Sequence, residues 1–221
     1  MYRVITIERE FGCGGGEIAR EISSRLGWKL WDQALTEEIA KVAEVDCSTV
    51  ERCQERVDST FQRLARIFLR GSHERSMPAA GAEPFDADCF VSTGRTVMEK
   101  IAEEGNCVIV GRGASYFLRE HADAFHIFLY APHVEKLRRL RNLGKSEYEA
   151  DSLLNTVDRD RITFVKHYFG ADWPTRYLYH AMINTAIGNE NVISSILHTM
   201  RSLEKRTAPQ ATPSSGEVIN R

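Results

Sequence analysis

The feature that most constrains this chain lies at its start, where the β-branched run Val4-Ile5-Thr6-Ile7 leads into Gly12, Gly14, Gly15 and Gly16 and then into a helical pattern. Four glycines within five positions let the backbone turn sharply and aim successive N–H groups at one point. The positive end of the following helix aims at the same point, so the layout is that of a phosphate-binding loop. A standard loop of this kind reads G-x-x-x-x-G-K-[ST], with its lysine on the outer phosphates and its hydroxyl on the metal. Aligned on Gly14, this chain has Arg9 at the first glycine, Gly15 at the lysine and Gly16 at the hydroxyl residue. The cradle Gly12-Cys13-Gly14-Gly15-Gly16 is present and its usual side chains are replaced.

Beyond the loop the chain reads as an α/β fold, a parallel sheet flanked by helices. Apolar strands are expected at Val4–Ile7, Trp28–Trp31, Val108–Val110, Phe125–Tyr130 and Ala181–Ile183, with helical segments between them. The first helix carries Ile18, Ile22 and Leu26 on one face and stops at Gly27. Residues 34–70 read as helical, through Leu35, Ile39 and Val42 and then Val57, Phe61, Leu64, Ile67 and Phe68. Gly71–Asp88 lacks periodicity and reads as a mobile loop, and the tail from Thr207 reads as disordered. A further helix is expected from Ser146, and a closing one over Val192–Leu197. The 221 residues, 43% hydrophobic and 27% charged, suit one folded domain over 1–206.

A net charge of −2 supplies no bulk attraction to nucleic acid or to an anionic membrane, so neither is an expected partner. Five cysteines (Cys13, Cys47, Cys53, Cys89, Cys107) in no C-x-x-C pair argue against a disulfide framework or a zinc site. No signal-like apolar segment opens the chain, and the expected compartment is the cytoplasm. Oligomeric state has no signature in the residue pattern.

Side chains able to hold phosphate are suggested by position. Arg112, between Gly111 and Gly113 at a strand end, is placed for an anion, because ligands of open α/β sheets gather at the carboxyl ends of strands. Its alternative role is to pair with a buried carboxylate. Asp32, ending the second strand, reads as a contact to acceptor or ion, or as a helix N-cap. Glu17, in the first turn of the helix, reads as a Mg²⁺ ligand, direct or through water, or as a carboxylate favoured by the helix dipole. Arg138, Arg139 and Arg141 cannot share one helix face, so most of that charge is expected in solvent, with one or two lid contacts. Asp158 and Arg161, three residues apart, could be no more than a surface pair.

Taken in order, I-T-I-E-R-E-F-G-C-G-G-G-E-I-A-R, W-K-L-W-D, V-I-V-G-R-G-A-S-Y, F-H-I-F-L-Y-A-P, D-R-D-R-x-x-F-V-K-H-Y-F-G and M-I-N-T resemble the cytidylate-kinase-like proteins, relatives of the nucleoside monophosphate kinases, over roughly residues 3–198. The resemblance implies a three-layer P-loop kinase fold with an acceptor-binding helical region at 34–90 and a lid at 136–168. It implies γ-phosphoryl transfer from ATP, with Mg²⁺, to a pyrimidine nucleoside monophosphate such as CMP. It also carries Arg159 and Arg161 onto lid positions that close over the phosphates. Ordinary cytidylate kinases have G-K-[ST] in the loop and an acidic residue after G-R, where this chain has Gly15-Gly16-Glu17 and Gly113. Arg9, Arg112 or a lid arginine is the expected substitute for the lysine, since a guanidinium offers a bidentate fork. Two other readings stay open: a nucleotide sensor without turnover, and a small-molecule kinase with another acceptor.

Overall fold

A computed structural model describes residues 1–47 and 87–207. The expected helix through Val57 to Phe68, the 71–86 part of the expected loop and the tail beyond Thr207 lie outside the described residues. Five strands, β1 (Val4–Arg9), β2 (Lys29–Trp31), β3 (Cys107–Val110), β4 (Ala124–Tyr130) and β5 (Ala181–Asn184), form one parallel sheet in the order β2-β3-β1-β4-β5. The helices are α1 (Gly15–Leu26), α2 (Gln33–Cys47), α3 (Ala87–Glu104), α4 (Ala114–Phe117), α5 (His133–Asn142), α6 (Glu147–Phe169) and α7 (Asn189–Thr207). α3 begins at Ala87, so the last two residues of the expected loop are helical. Short 3-10 turns at Arg176–Leu178 and Thr185–Ile187 flank β5.

All six residues of β1 are buried, as a strand covered on both faces requires. Ile5 and Ile7 pack with Ile18 and Ile22 of α1 and with Val192, Ile193 and Ile196 of α7. Val4 faces the other layer, with Leu35 and Ile39 of α2, Met98 and Ile101 of α3, Tyr116 and Phe117 of α4 and Phe164 of α6. This alternation places Thr6 and Glu8 on the α4 side and Arg9 on the α1 side of the sheet. α1 ends where Gly27, at φ 65°, turns its N–H back to the carbonyls of Ser23 and Ser24.

α5 and α6 form an antiparallel pair. Ser146 caps α6 by accepting from the Glu149 N–H at 3.2 Å. Leu140, Ala150 and Leu154 make a small core of their own, completed by Leu137 and by Phe11 from the glycine loop. The hairpin is therefore seated on the loop through apolar contact as well as through charge.

One polar stitch crosses the α4 side of the core. The Thr6 hydroxyl lies 2.7 Å from both Ser115 Oγ and His126 Nδ1, and the His126 N–H donates to His180 Nδ1 at 3.0 Å. His126 is 3% exposed; burial, with His180 beside it, pulls its pKa down to about 4. An unfolded histidine titrates near 6.5, so the unfolded chain binds the proton first as pH falls. The contribution of neutral His126 is complete above pH 6.5 and is lost as pH falls toward about 4, a change on the order of 3 kcal/mol. Urea unfolding at pH 7.5, 6, 5 and 4 should show that loss, and His126→Asn should flatten the slope. A wild-type stability that stays constant from pH 6.5 to 4 would contradict the assignment.

Candidate active site

The carboxyl ends of β1, β2 and β3 meet around the glycine loop. Gly12 and Gly14 take φ of 77° and 80°, conformations that cost a residue with a Cβ free energy. Close packing adds to this constraint, since a Cβ on Gly12 would come within 3.1 Å of Leu154 and 3.2 Å of Lys136 Cβ, and one on Gly14 would overlap the Arg139 guanidinium. Among the described residues, the backbone N–H groups of Gly12, Gly14, Gly15 and Gly16 meet no protein acceptor. Gly15 and Gly16 open α1, where the first N–H groups of a helix have no intrahelical acceptor and favour a negative charge.

Four guanidinium groups surround this cradle. Arg161 donates through Nη1 to the Arg9 carbonyl and to Asp158 Oδ1, both at 2.8 Å. The Asp158 carboxylate also accepts from the Phe11 N–H, at 2.9 and 3.2 Å to its two oxygens. The side chains of Arg161 and Asp158 are 13% and 16% exposed, so this pair is an attachment of α6 to the loop and is not confined to the helix surface. Arg139 bonds the Cys13 carbonyl and both the hydroxyl and the carbonyl of Thr185. The Thr185 hydroxyl itself donates to the Cys13 carbonyl at 2.7 Å. Lys136 pairs with Glu10 at 2.9 Å and adds a further cation at the loop edge.

Arg9 and Arg112 lie deeper, 5% and 7% exposed. Arg112 Nη1 reaches Asp32 Oδ1 at 3.5 Å and the Val110 carbonyl at 3.2 Å. Burial pulls its pKa down to about 10 while Asp32 holds it up, so the group stays cationic at neutral pH. Arg112 sits at φ 56° between Gly111 at 69° and Gly113 at 71°, a left-handed stretch in which the arginine alone bears a Cβ penalty. Burial, and next the neighbouring Arg161, lower the pKa of Arg9, with Asp32 and Glu8 opposing. Glu8 is 4% exposed; burial raises its pKa, opposed by Arg9, Arg161, the Gly113 N–H and Arg112.

Of the residues singled out in the sequence, the structure gathers Arg9, Gly12, Cys13, Gly14, Gly15, Gly16, Asp32, Arg112 and Arg161 at this one place. Two fall elsewhere. Arg159 is exposed on α6. Glu17 is exposed on α1, and its Oε2 accepts from Asn189 Nδ2 at 3.4 Å. Glu8, Arg139, Asp158 and Thr185 are the participants that the sequence did not single out as ligands. Gly113, in place of an acidic residue, also has a local reason: at φ 71°, a Cβ there would lie 3.0 Å from the Phe169 ring.

Among the described residues no three His, Cys, Asp or Glu side chains group as a metal cage. Mg²⁺ that travels with a nucleotide is held by one or two carboxylates plus phosphate oxygens and needs no such cage. No described helix is long and apolar enough to cross a membrane.

Comparison with known proteins bears on the fold. An uncharacterized protein from Eubacterium ventriosum superposes with a TM-score of 0.64 at 20% identity, over 91% of this chain and 99% of the other. A gluconokinase from Sinorhizobium meliloti superposes with a TM-score of 0.54 at 15% identity, over 95% and 97%. These likenesses show the P-loop kinase fold. No curated protein matches the sequence. The profile of the cytidylate kinase-like family covers residues 4–187, a span that contains the glycine loop, all five strands and the α5–α6 hairpin, and the chain belongs to that family.

Proposed function

We propose that this protein is a phosphotransferase that moves the γ-phosphoryl group of ATP, with Mg²⁺, to a pyrimidine nucleoside monophosphate such as CMP. The observation that carries the reading is the set of loop N–H groups at Gly12, Gly14, Gly15 and Gly16 that meet no acceptor among the described residues, close to Arg9, Arg112, Arg139 and Arg161. Membership of a kinase-like family supports the reaction class. Phosphoryl transfer asks a protein for in-line positioning and charge neutralisation and needs no covalent help.

In this scheme the loop N–H groups hold the phosphates of the donor. Arg139 and Thr185 fix the Cys13 carbonyl, so the loop keeps its shape when the phosphates are absent. Arg9, Arg112 and Arg161 face the end of the sheet where charge develops, in a setting of low exposure where each guanidinium counts for more than in water. Mg²⁺ would neutralise and align the outer phosphates; Asp32 and, through water, Glu17 are the carboxylates proposed to meet it. The α5–α6 hairpin, with Phe11 in its core, is proposed as the element that would shield the transfer from water. Arg159 is proposed as a lid contact that an acceptor would draw inward from its exposed position on α6.

One observation favours the competing reading, a nucleotide sensor without turnover: Glu17 accepts from Asn189, at the start of α7. An acceptor panel decides between them. ATP, Mg²⁺ and separate CMP, dCMP, UMP and AMP samples should yield a nucleoside diphosphate by chromatography with at least one pyrimidine acceptor, and Gly14→Val should yield none. ATP binding by calorimetry without turnover on any acceptor would favour the sensor.

A further inference from the structure

The position that carries the lysine of a standard loop lies against another side chain of this chain. Gly15 occupies the lysine position, in ordinary helical backbone. A Cβ added there would come within 3.0 Å of Arg9 Cγ, 3.1 Å of Arg9 Cβ and 3.6 Å of Cys13 Sγ. The nearest atoms belong to the base of the Arg9 side chain, close to β1, so any residue with a Cβ at position 15 requires that base to give by a few tenths of an ångström. The guanidinium at the other end lies on Gly111 at the carboxyl end of β3, where a Cβ would overlap it. Two glycines thus frame one arginine, one at its stem and one at its head. The head lies within electrostatic reach of Asp32, Glu8 and Arg161 at the carboxyl ends of the strands.

We propose that Arg9 is the phosphate-binding cation of this loop, delivered from β1 instead of from α1, and that Arg9 and Gly15 form a matched pair that excludes a lysine at position 15. The standard arrangement, glycine on the strand and lysine on the helix, is exchanged here for arginine on the strand and glycine on the helix. The inference rests on the kinase reading for its ligand, MgATP, and on steric contact alone for the pairing.

The test is a double-mutant cycle of Arg9→Gly, Gly15→Lys and the two combined, read by MgATP calorimetry and by thermal unfolding without ligand. Arg9→Gly should weaken MgATP binding by roughly tenfold to a hundredfold, the range for a charged hydrogen bond. Gly15→Lys alone should lower both the melting temperature and the affinity. The combined variant should melt above Gly15→Lys and regain most of the lost affinity. Arg9→Met, which keeps the stem and removes the charge, guards against a general folding defect: it should melt near the wild type and bind MgATP as weakly as Arg9→Gly. Gly15→Lys that is tolerated beside Arg9, or Arg9→Met that binds MgATP as the wild type does, would overturn the proposal. Wild-type protein that binds MgATP and transfers nothing would count against the kinase reading alone, since the binding cycle still reports on Arg9.

Discussion

Arg161→Ala is expected to lower turnover by about two to three orders of magnitude, the usual loss when one preorganised charge donor is removed from a transition state. The side chain is held in place from two directions before any substrate arrives, by the Arg9 carbonyl and by Asp158, both at 2.8 Å. Little reorganisation therefore remains to be made during transfer, which is the condition under which a guanidinium contributes most. Arg161→Lys should recover only part of the activity, because a single ammonium on a flexible stem cannot reproduce the planar fork. The loss should fall mainly on kcat, since the charge it neutralises is greatest in the transition state. Steady-state kinetics with both substrates varied will show this; an unchanged kcat in Arg161→Ala removes the residue from the reaction.

Asp158→Ala is the substitution with the largest expected effect on stability, about 2–3 kcal/mol. It strands the Phe11 N–H, which has both carboxylate oxygens within 3.2 Å, and it removes the partner of a guanidinium whose side chain is only 13% exposed. In a chain of 221 residues this corresponds to a fall in Tm of roughly 4–10 °C. Asp158→Asn retains an acceptor for the N–H and should lose less, so the difference between the variants isolates the charge. The stem of the hairpin should loosen as well, because Phe11 shares the small core with Leu140 and Leu154. Calorimetric scans of the three proteins without ligand measure the effect, and equal melting temperatures would contradict the attachment of α6 to the loop.

Much of this architecture is legible in the residues alone. The β-branched run, the four glycines and the helix after them announce a strand, an anion cradle and a dipole, and all three are local in sequence. Arg112 is legible for the same reason, since its flanking glycines mark a strand end. The choice between Arg159 and Arg161 is less visible, though a signal exists: Ala150, Leu154, Val157, Phe164 and Val165 define the buried face of α6, Arg161 falls on that face and Arg159 does not. Arg139 could not be singled out from Arg138 and Arg141, because its partners Cys13 and Thr185 lie 126 and 46 residues away and only the return of α5 onto the loop selects it. Glu8 is hidden by its position in a strand, where a charged residue normally marks an exposed face; here both faces are covered. Asp158 has a sufficient local partner in Arg161, and its long-range bond to the Phe11 N–H leaves no trace in local spacing.

The decisive question for this site is whether a loop without its lysine still supports phosphoryl transfer. A single-turnover experiment addresses it most directly: γ-labelled ATP with Mg²⁺ and CMP, mixed with excess protein and quenched over time. The arginine-built site predicts label appearing on the β-position of CDP in the wild type, and much more slowly in Arg161→Ala. Label that stays on ATP, or that leaves as free phosphate at the same rate with and without CMP, would contradict it.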